Sequence, residues 1–264
     1  MIKRKSWKNG FSFILFGWCA ALTLGLVSSG VAFAGSDEKK VPAAESLRSV
    51  YEAEKLLSER GYWISKIDDI MDPSTRHAIA AFQKVERRKR TGILTIAEIR
   101  AMRRSKRPKP LYTGAAHVEI DIKRQVLFLV NDEDLVTHIL PVSTGSGKTY
   151  YQDGRKHFAK TPRGIFKITR QIKGVRRAPL GVLYHPNYFH MGVAIHGSDS
   201  IPFHPASHGC VRIPRFASKK FSDLVRVGLP VIVHEKFGSP QIQLEKEERL
   251  DLDAVTMPVS APCK

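Results

Sequence analysis

The hydrophobic pattern of this chain changes its period once, and that change divides it into two parts of different build. From residue 45 to 104 the apolar residues recur every three or four positions. Leu47, Val50, Glu54 and Leu57 mark one stripe, whose apolar part Tyr51 and Leu56 widen; this is the spacing of one face of an α-helix. From His117 onward the pattern alternates. Val118, Ile120 and Ile122 stand against Glu119 and Asp121, and Val126, Phe128 and Val130 repeat it after a polar turn at Lys123-Arg124. A period of two belongs to strands with one buried face. Between the two parts, Ser105 to Pro110 holds two prolines and no apolar run. The expectation is an α+β chain: a three-helix domain over 45–104, a basic linker over 105–115, and a mainly-β, sandwich- or barrel-like domain over 116–235.

Local signals place the elements. Gly61 follows Arg60 and stops the first helix. Asp72 caps a second helix with Pro73 in its first turn, and Ile79, Phe82 and Val85 supply its apolar face. Thr91-Gly92 breaks the chain, and Thr95 caps a third helix carrying Ile96, Ile99 and Met102. Further strands are expected at 135–142, 164–172, 182–184, 188–191, 193–195 and 231–233, with one helix at 216–227.

The chain has 264 residues, with 43 Lys and Arg against 25 Asp and Glu, a formal net charge of +18. Such an excess points to an anionic partner without naming it. The amino terminus narrows the choice. Lys3, Arg4, Lys5 and Lys8 precede an apolar run from Phe11 to Val27 and then Ala32-Phe33-Ala34. This is the three-part layout of a secretory signal over 1–34, cleaved after Ala34; left uncleaved it would be the chain's only membrane contact. Export to a periplasm or cell wall argues against nucleic acid and for the wall itself as the anionic partner. Eleven basic and two acidic residues between Lys84 and Lys109 are then expected to hold the protein against that wall. Cys19 leaves with the signal, and a Cys210–Cys263 disulfide is conceivable in an oxidising compartment. Residues 236–264 read as a polar, mobile tail.

The chemistry concentrates in Ile195-His196-Gly197 and Pro205-Ala206-Ser207-His208-Gly209-Cys210-Val211-Arg212. A thiol becomes a nucleophile when a base takes its proton or cations favour its thiolate. His196 can be that base, His208 adjoins the Cys, and Arg212 adds fixed positive charge. The N–H groups of Gly209 and Cys210 could stabilise the oxyanion of acyl transfer. His185, His190, His196, His204 and His208 crowd the same region, yet their spacing matches no common zinc pattern. Neither a metal nor a cofactor is expected. Gly145-x-Gly147-Lys148-Thr149 lacks the first Gly of a phosphate loop and reads as a turn.

The segment resembles the L,D-transpeptidase family with the YkuD-type catalytic domain: His, a spacer, then Ser-His-Gly-Cys and a polar residue two positions on. Ser143-Thr144-Gly145 and Thr161-Pro162-x-Gly164 extend the resemblance over about 116–235. Residues 45–104 resemble a three-helix peptidoglycan-binding domain through Leu56-Leu57, Gly61-Tyr62, Ile67-Asp68, Pro73-Ser74-Thr75, Ala78-Ile79, Ala81-Phe82-Gln83, Thr91-Gly92 and Leu94. Asp69 and Asp72 stand where that family usually has Gly. The resemblance implies Cys210 as nucleophile and His196 as proton donor and acceptor, with Ser207, His208 and Gly209 positioning the thiol and building the oxyanion site. Arg212, Gly197, Tyr184 and His185 would meet substrate. The implied substrates are peptidoglycan stem peptides. D-Ala leaves a tetrapeptide donor, and the acyl group passes to an amine of a second stem as a 3–3 cross-link, or to a lipoprotein lysine. Carbapenems would be inhibitors. Water as acceptor would make the same site an L,D-carboxypeptidase, and loss of activity would leave a wall-binding protein.

Overall fold

The computed structural model describes residues 43–235 and 242–243. The expected signal peptide, the tail beyond Glu235 other than 242–243, and Cys19 and Cys263 lie outside the described residues. Three helices come first: α1 (Ala43–Glu59), α2 (Pro73–Val85) and α3 (Ile96–Arg104). The expected caps form. The Asp72 carboxylate accepts from Thr75 N–H at 2.8 Å, and the Thr95 hydroxyl from Glu98 N–H at 3.2 Å. Glu54 on α1 is fully buried; its carboxylate accepts from the N–H groups of Asp68 and Asp69 and from the Thr75 hydroxyl, pinning the α1–α2 loop. Asp69 sits at φ +67°, so this position calls for the left-handed conformation that Gly adopts and Asp tolerates.

The β part follows as β1 (Tyr112–Thr113), β2 (His117–Asp121), β3 (Val126–Val130), β4 (Val136–Pro141), β5 (Thr149–Gln152), β6 (Arg155–Phe158), β7 (Gly164–Lys167), β8 (Arg170–Gln171), β9 (Val175–Ala178), β10 (Gly181–His190), β11 (Val193–Ser198), β12 (Val211–Pro214), then α4 (Arg215–Leu224), β13 (Pro230–His234) and β14 (Ile242–Gln243). One sheet runs β4-β3-β2-β13-β7, with β13 parallel to β2. The other runs β12-β11-β10-β8, with β9 also on β10 and β11 parallel to β12. The single strand expected over 164–172 is two short ones in different sheets: β7 pairs with β13 and β8 with β10. A strand that changes sheets forms a corner between them.

The core between the sheets joins Val118, Ile120, Leu127, Leu129, Leu140 and Val142 to Ile168, Phe189, Ile195, Val211 and Ile213, with Ala217 and Phe221 of α4. A second core lies on the opposite face of β3. There Val126, Phe128 and Val130 pack against Ala53, Leu57, Ala78, Ile79, Phe82 and Met102 of the helices. All five residues of β3 are buried for this reason. The helices therefore form a third layer on the sheet. Tyr62 bridges to Ile139, and Trp63 N–H donates to Ile139 O at 3.0 Å.

The stretch read as a linker is fastened along its length. Arg107 donates to Val136 O and Glu59 O, and the N–H groups of Leu111 and Tyr112 donate to the buried Glu119 carboxylate. Part of the basic run beside it is likewise engaged. The Lys84 ammonium is buried, Arg88 bonds Glu98 at 2.7 Å, and Arg103 bonds Glu52.

Candidate active site

Strand alternation sorts the residues of the motif. In the parallel pair β11–β12, His196 stands level with Arg212, while Ile195, Val211 and Ile213 belong to the inter-sheet core. His196, Cys210 and Arg212 thereby share the opposite face. Cys210 is buried against Tyr188 and Ala194. His196, Ser207, His208, Cys210 and Arg212 line one cleft, walled on the other side by Ala178 and Leu180–Leu183. Among the described residues no group of three or more His, Cys, Asp and Glu side chains is placed to hold a metal ion.

The His196 ring has a defined tautomer. Its Nδ1 lies 2.8 Å from Gly197 O, which can only accept, so Nδ1 carries the proton and Nε2 presents a lone pair. Burial pushes its pKa down to about 4, the Gly197 carbonyl pulls it up, and the Arg212 charge lowers it further. The imidazole is neutral at neutral pH and able to accept a proton. Burial also lowers the pKa of His208, again helped by Arg212. Burial lowers that of Arg212, while Cys210 draws it upward.

The nucleophile turn is held from within and from behind. The Ser207 hydroxyl donates to Cys210 O at 2.5 Å and accepts Gly209 N–H at 3.0 Å. That second bond occupies the N–H that the sequence offered as an oxyanion donor. Gly209 has φ +144°, where a side chain is strained, and a Cβ there would lie 3.3 Å from Lys160 O. Its carbonyl accepts the Thr161 hydroxyl at 2.7 Å. Thr144 O accepts the N–H groups of Ala206 and Ser207, and Ser143 exchanges backbone hydrogen bonds with Arg212. The Ser143-Thr144-Gly145 and Thr161 motifs are thus the scaffold of the turn.

Three residues expected to meet substrate are not among those lining the cleft. Gly197 faces α4: a Cβ there would come within 2.5 Å of the Ser218 Cβ, so its smallness serves helix–strand packing. The Tyr184 hydroxyl donates to Asp199 and its ring lies under the Arg215 guanidinium. The His185 ring accepts Gly174 N–H at 3.1 Å, closing the turn before β9.

The geometry can be set beside known proteins. The model of the L,D-transpeptidase catalytic domain family (YkuD) matches residues 115–233, and that of a peptidoglycan binding domain matches residues 47–102. An L,D-transpeptidase crystal structure from Xylanimonas cellulosilytica is 35% identical over 70% of this chain and 92% of that one, with a TM-score of 0.65. The chain belongs to the L,D-transpeptidase family. An L,D-transpeptidase from Stackebrandtia nassauensis is 21% identical over 72% of this chain and 91% of that one, with a TM-score of 0.43. A comparison with curated proteins gave no match.

Two features of this L,D-transpeptidase-family chain were missed in its sequence. The β5–β6 hairpin brings the Tyr150 ring edge-on to His208, with centroids 4.6 Å apart. Its signal was Asp153-Gly154, both at positive φ, the strongest short-range mark of a hairpin. The second is charge. Residues 148–177 carry ten basic residues and one acidic, a net +9 spread over β5–β9. Lys148, Arg155, Lys156, Lys160, Lys167 and Arg177 are exposed. Lys160 O adjoins Gly209 on one flank of the cleft, and Arg177 pairs with Val182 on the other.

Proposed function

We propose that this chain is a cysteine-dependent acyltransferase on peptidoglycan stem peptides, with Cys210 as nucleophile and His196 as proton carrier. The observation that carries this reading is the shared cleft face of Cys210 and His196, with the imidazole neutral and its Nε2 lone pair unprotonated.

The steps follow from these groups. Burial that keeps His196 neutral also disfavours a resting thiolate–imidazolium pair. The thiol proton therefore passes to Nε2 as Sγ attacks the carbonyl of the L-centre, and the carbonyl oxygen becomes an oxyanion. The Cys210 N–H is its donor, with Gly209 N–H joining on release from Ser207. Collapse breaks the bond to D-Ala. His196 returns the proton to the leaving amine, and a thioester on Cys210 remains. An acceptor amine then attacks the thioester and gives its proton to His196; the C–S bond breaks, and His196 passes that proton to Sγ, which restores the thiol and the neutral imidazole. Arg212, a fixed cation in the cleft, suits a substrate carboxylate. The substrate lies outside the cytoplasmic membrane, so 1–34 would serve as the export signal of a periplasmic or wall enzyme.

The test is incubation with a disaccharide-tetrapeptide, following D-Ala and products by mass, with Cys210→Ser as control. Cross-linked dimer supports transfer, and tripeptide alone means that water is the acceptor. No Cys210-dependent product overturns the proposal.

A further inference from the structure

Lys84 is the least expected side chain in the molecule. It sits on α2, and its ammonium is buried at the seam between the helices and the sheet, 1% exposed. It donates to two backbone carbonyls of the β part, Gln125 O and Val142 O, each at 3.0 Å. Among the described residues no carboxylate forms an ion pair with it. Burial pushes its pKa down to about 7, with the Arg90 charge adding to the shift. Its two bonds to backbone carbonyls offset the desolvation of the ammonium, so its function at this site is that of a donor.

Those two carbonyls lead to the nucleophile. Gln125 grips Thr144 twice, donating to its hydroxyl at 2.7 Å and accepting its N–H at 2.9 Å. Val142 precedes Ser143, which pairs with Arg212. Thr144 O accepts the N–H groups of Ala206 and Ser207 at 2.9 Å, and the Ser207 hydroxyl holds Gly209 N–H and Cys210 O. Every link from Lys84 to the nucleophile's own carbonyl is a hydrogen bond or an adjacent residue. The helices reach the same loop by a second route. Phe203, four residues before Ser207, has its ring 5.7 Å from the Lys84 ammonium, edge-on to His77, and against Gly92. Arg90 donates to its carbonyl at 3.4 Å.

We propose that Lys84 is a positioning residue for the Ser207–Cys210 turn, so that the helical module takes part in acyl transfer by holding the nucleophile's loop from behind. This rests on Cys210 being the nucleophile, and the module's match to a peptidoglycan-binding family does not foretell it. The role is static: Lys84 and Phe203 fix where Cys210 lies relative to His196, and a small displacement there lowers the rate of attack more than substrate binding.

The experiment compares wild type, Lys84→Met, Thr144→Val and the double variant as full chains, with rates expressed per reactive thiol. D-Ala release gives kcat and KM, and iodoacetamide alkylation of Cys210 reports the thiol without turnover. The expected result for Lys84→Met is about a tenfold fall in kcat with KM within twofold, and slower alkylation. The double variant should lose less than the product of the two single losses, because both act on one chain of bonds. Should Lys84→Met fail to fold, Thr144→Val alone, with its lost Gln125 bond, is expected to lower kcat several-fold at unchanged KM. A Lys84→Met protein with lower thermal stability but wild-type kcat per thiol overturns the proposal, as does wild-type kcat in Thr144→Val. Absence of turnover in the wild type would count against Cys210 chemistry instead, while the alkylation rates would still report on Lys84.

Discussion

Residues 84–109 and residues 148–177 each carry a net charge of +9, and the two stretches use part of it differently. In the first, Lys84 is buried on backbone carbonyls, Arg88 and Arg103 pair with carboxylates, Arg90 donates to Phe203 O, and Arg107 binds Val136 O and Glu59 O. In the second, most of the cations are exposed on or beside short strands, Arg170 stacks on the Tyr188 ring, and Arg163 with Glu235 is the one ion pair among the described residues of that stretch. A contiguous basic run can thus be in part internal fastening, because guanidinium and ammonium groups bond backbone carbonyls as well as they meet a polyanion. Two residues of the dispersed stretch, Lys160 and Arg177, flank the cleft.

The comparison can be broken first on stability. Lys84→Met removes a donor from Val142 O and one of two donors from Gln125 O, which keeps the Val142 N–H, and is expected to cost about 2 kcal/mol in urea unfolding. Arg155→Gln with Lys156→Gln should leave the midpoint unchanged. Equal losses would mean that the two stretches do not differ. Acid is the next lever. Burial pushes the pKa values of His77 and His196 to about 4. Between there and 6.5 the unfolded chain binds more protons than the folded one. Their contribution is therefore complete above pH 6.5 and is lost as pH falls towards 4, on the order of 3 kcal/mol per histidine. A urea midpoint that is flat from pH 7 to 4.5 would contradict this.

Binding sharpens the contrast from the other side. Arg155→Gln, Lys156→Gln and Arg177→Gln together should weaken sedimentation with sacculi several-fold at low salt, and the difference should vanish at high salt. Arg100→Gln with Arg104→Gln should change it little. The reverse ranking would return wall contact to the helices. The smallest effect is expected at Arg103. Its bond to Glu52 is half-exposed, so Arg103→Gln should leave the unfolding midpoint unmoved.

Much of this was legible in the chain. Asp72 and Thr95 marked the helix starts, and His196, Ser207, His208, Cys210 and Arg212 do meet in one cleft. What stayed hidden depended on contacts between layers. Leu127 and Leu129 interrupt an alternating strand because β3 has a core on each face, the helices covering one. A lysine on a helix reads as solvent-facing, and nothing local announces the two carbonyls that bury Lys84. Gly197 resembled a site residue by its place beside His196, yet Ser218 explains it. The β5–β6 hairpin did carry a local signal, Asp153-Gly154, hidden by the glycines just before it.

The central claim is that Cys210 Sγ carries the acyl group. The direct measurement is the intact mass of the acid-quenched enzyme after brief mixing with a tetrapeptide donor, followed by peptide mapping. The expected result is an adduct of the donor less D-Ala on the peptide containing Cys210, absent in Cys210→Ala and slower to form in His196→Gln. An adduct on another residue, or wild-type D-Ala release by Cys210→Ala, would contradict it.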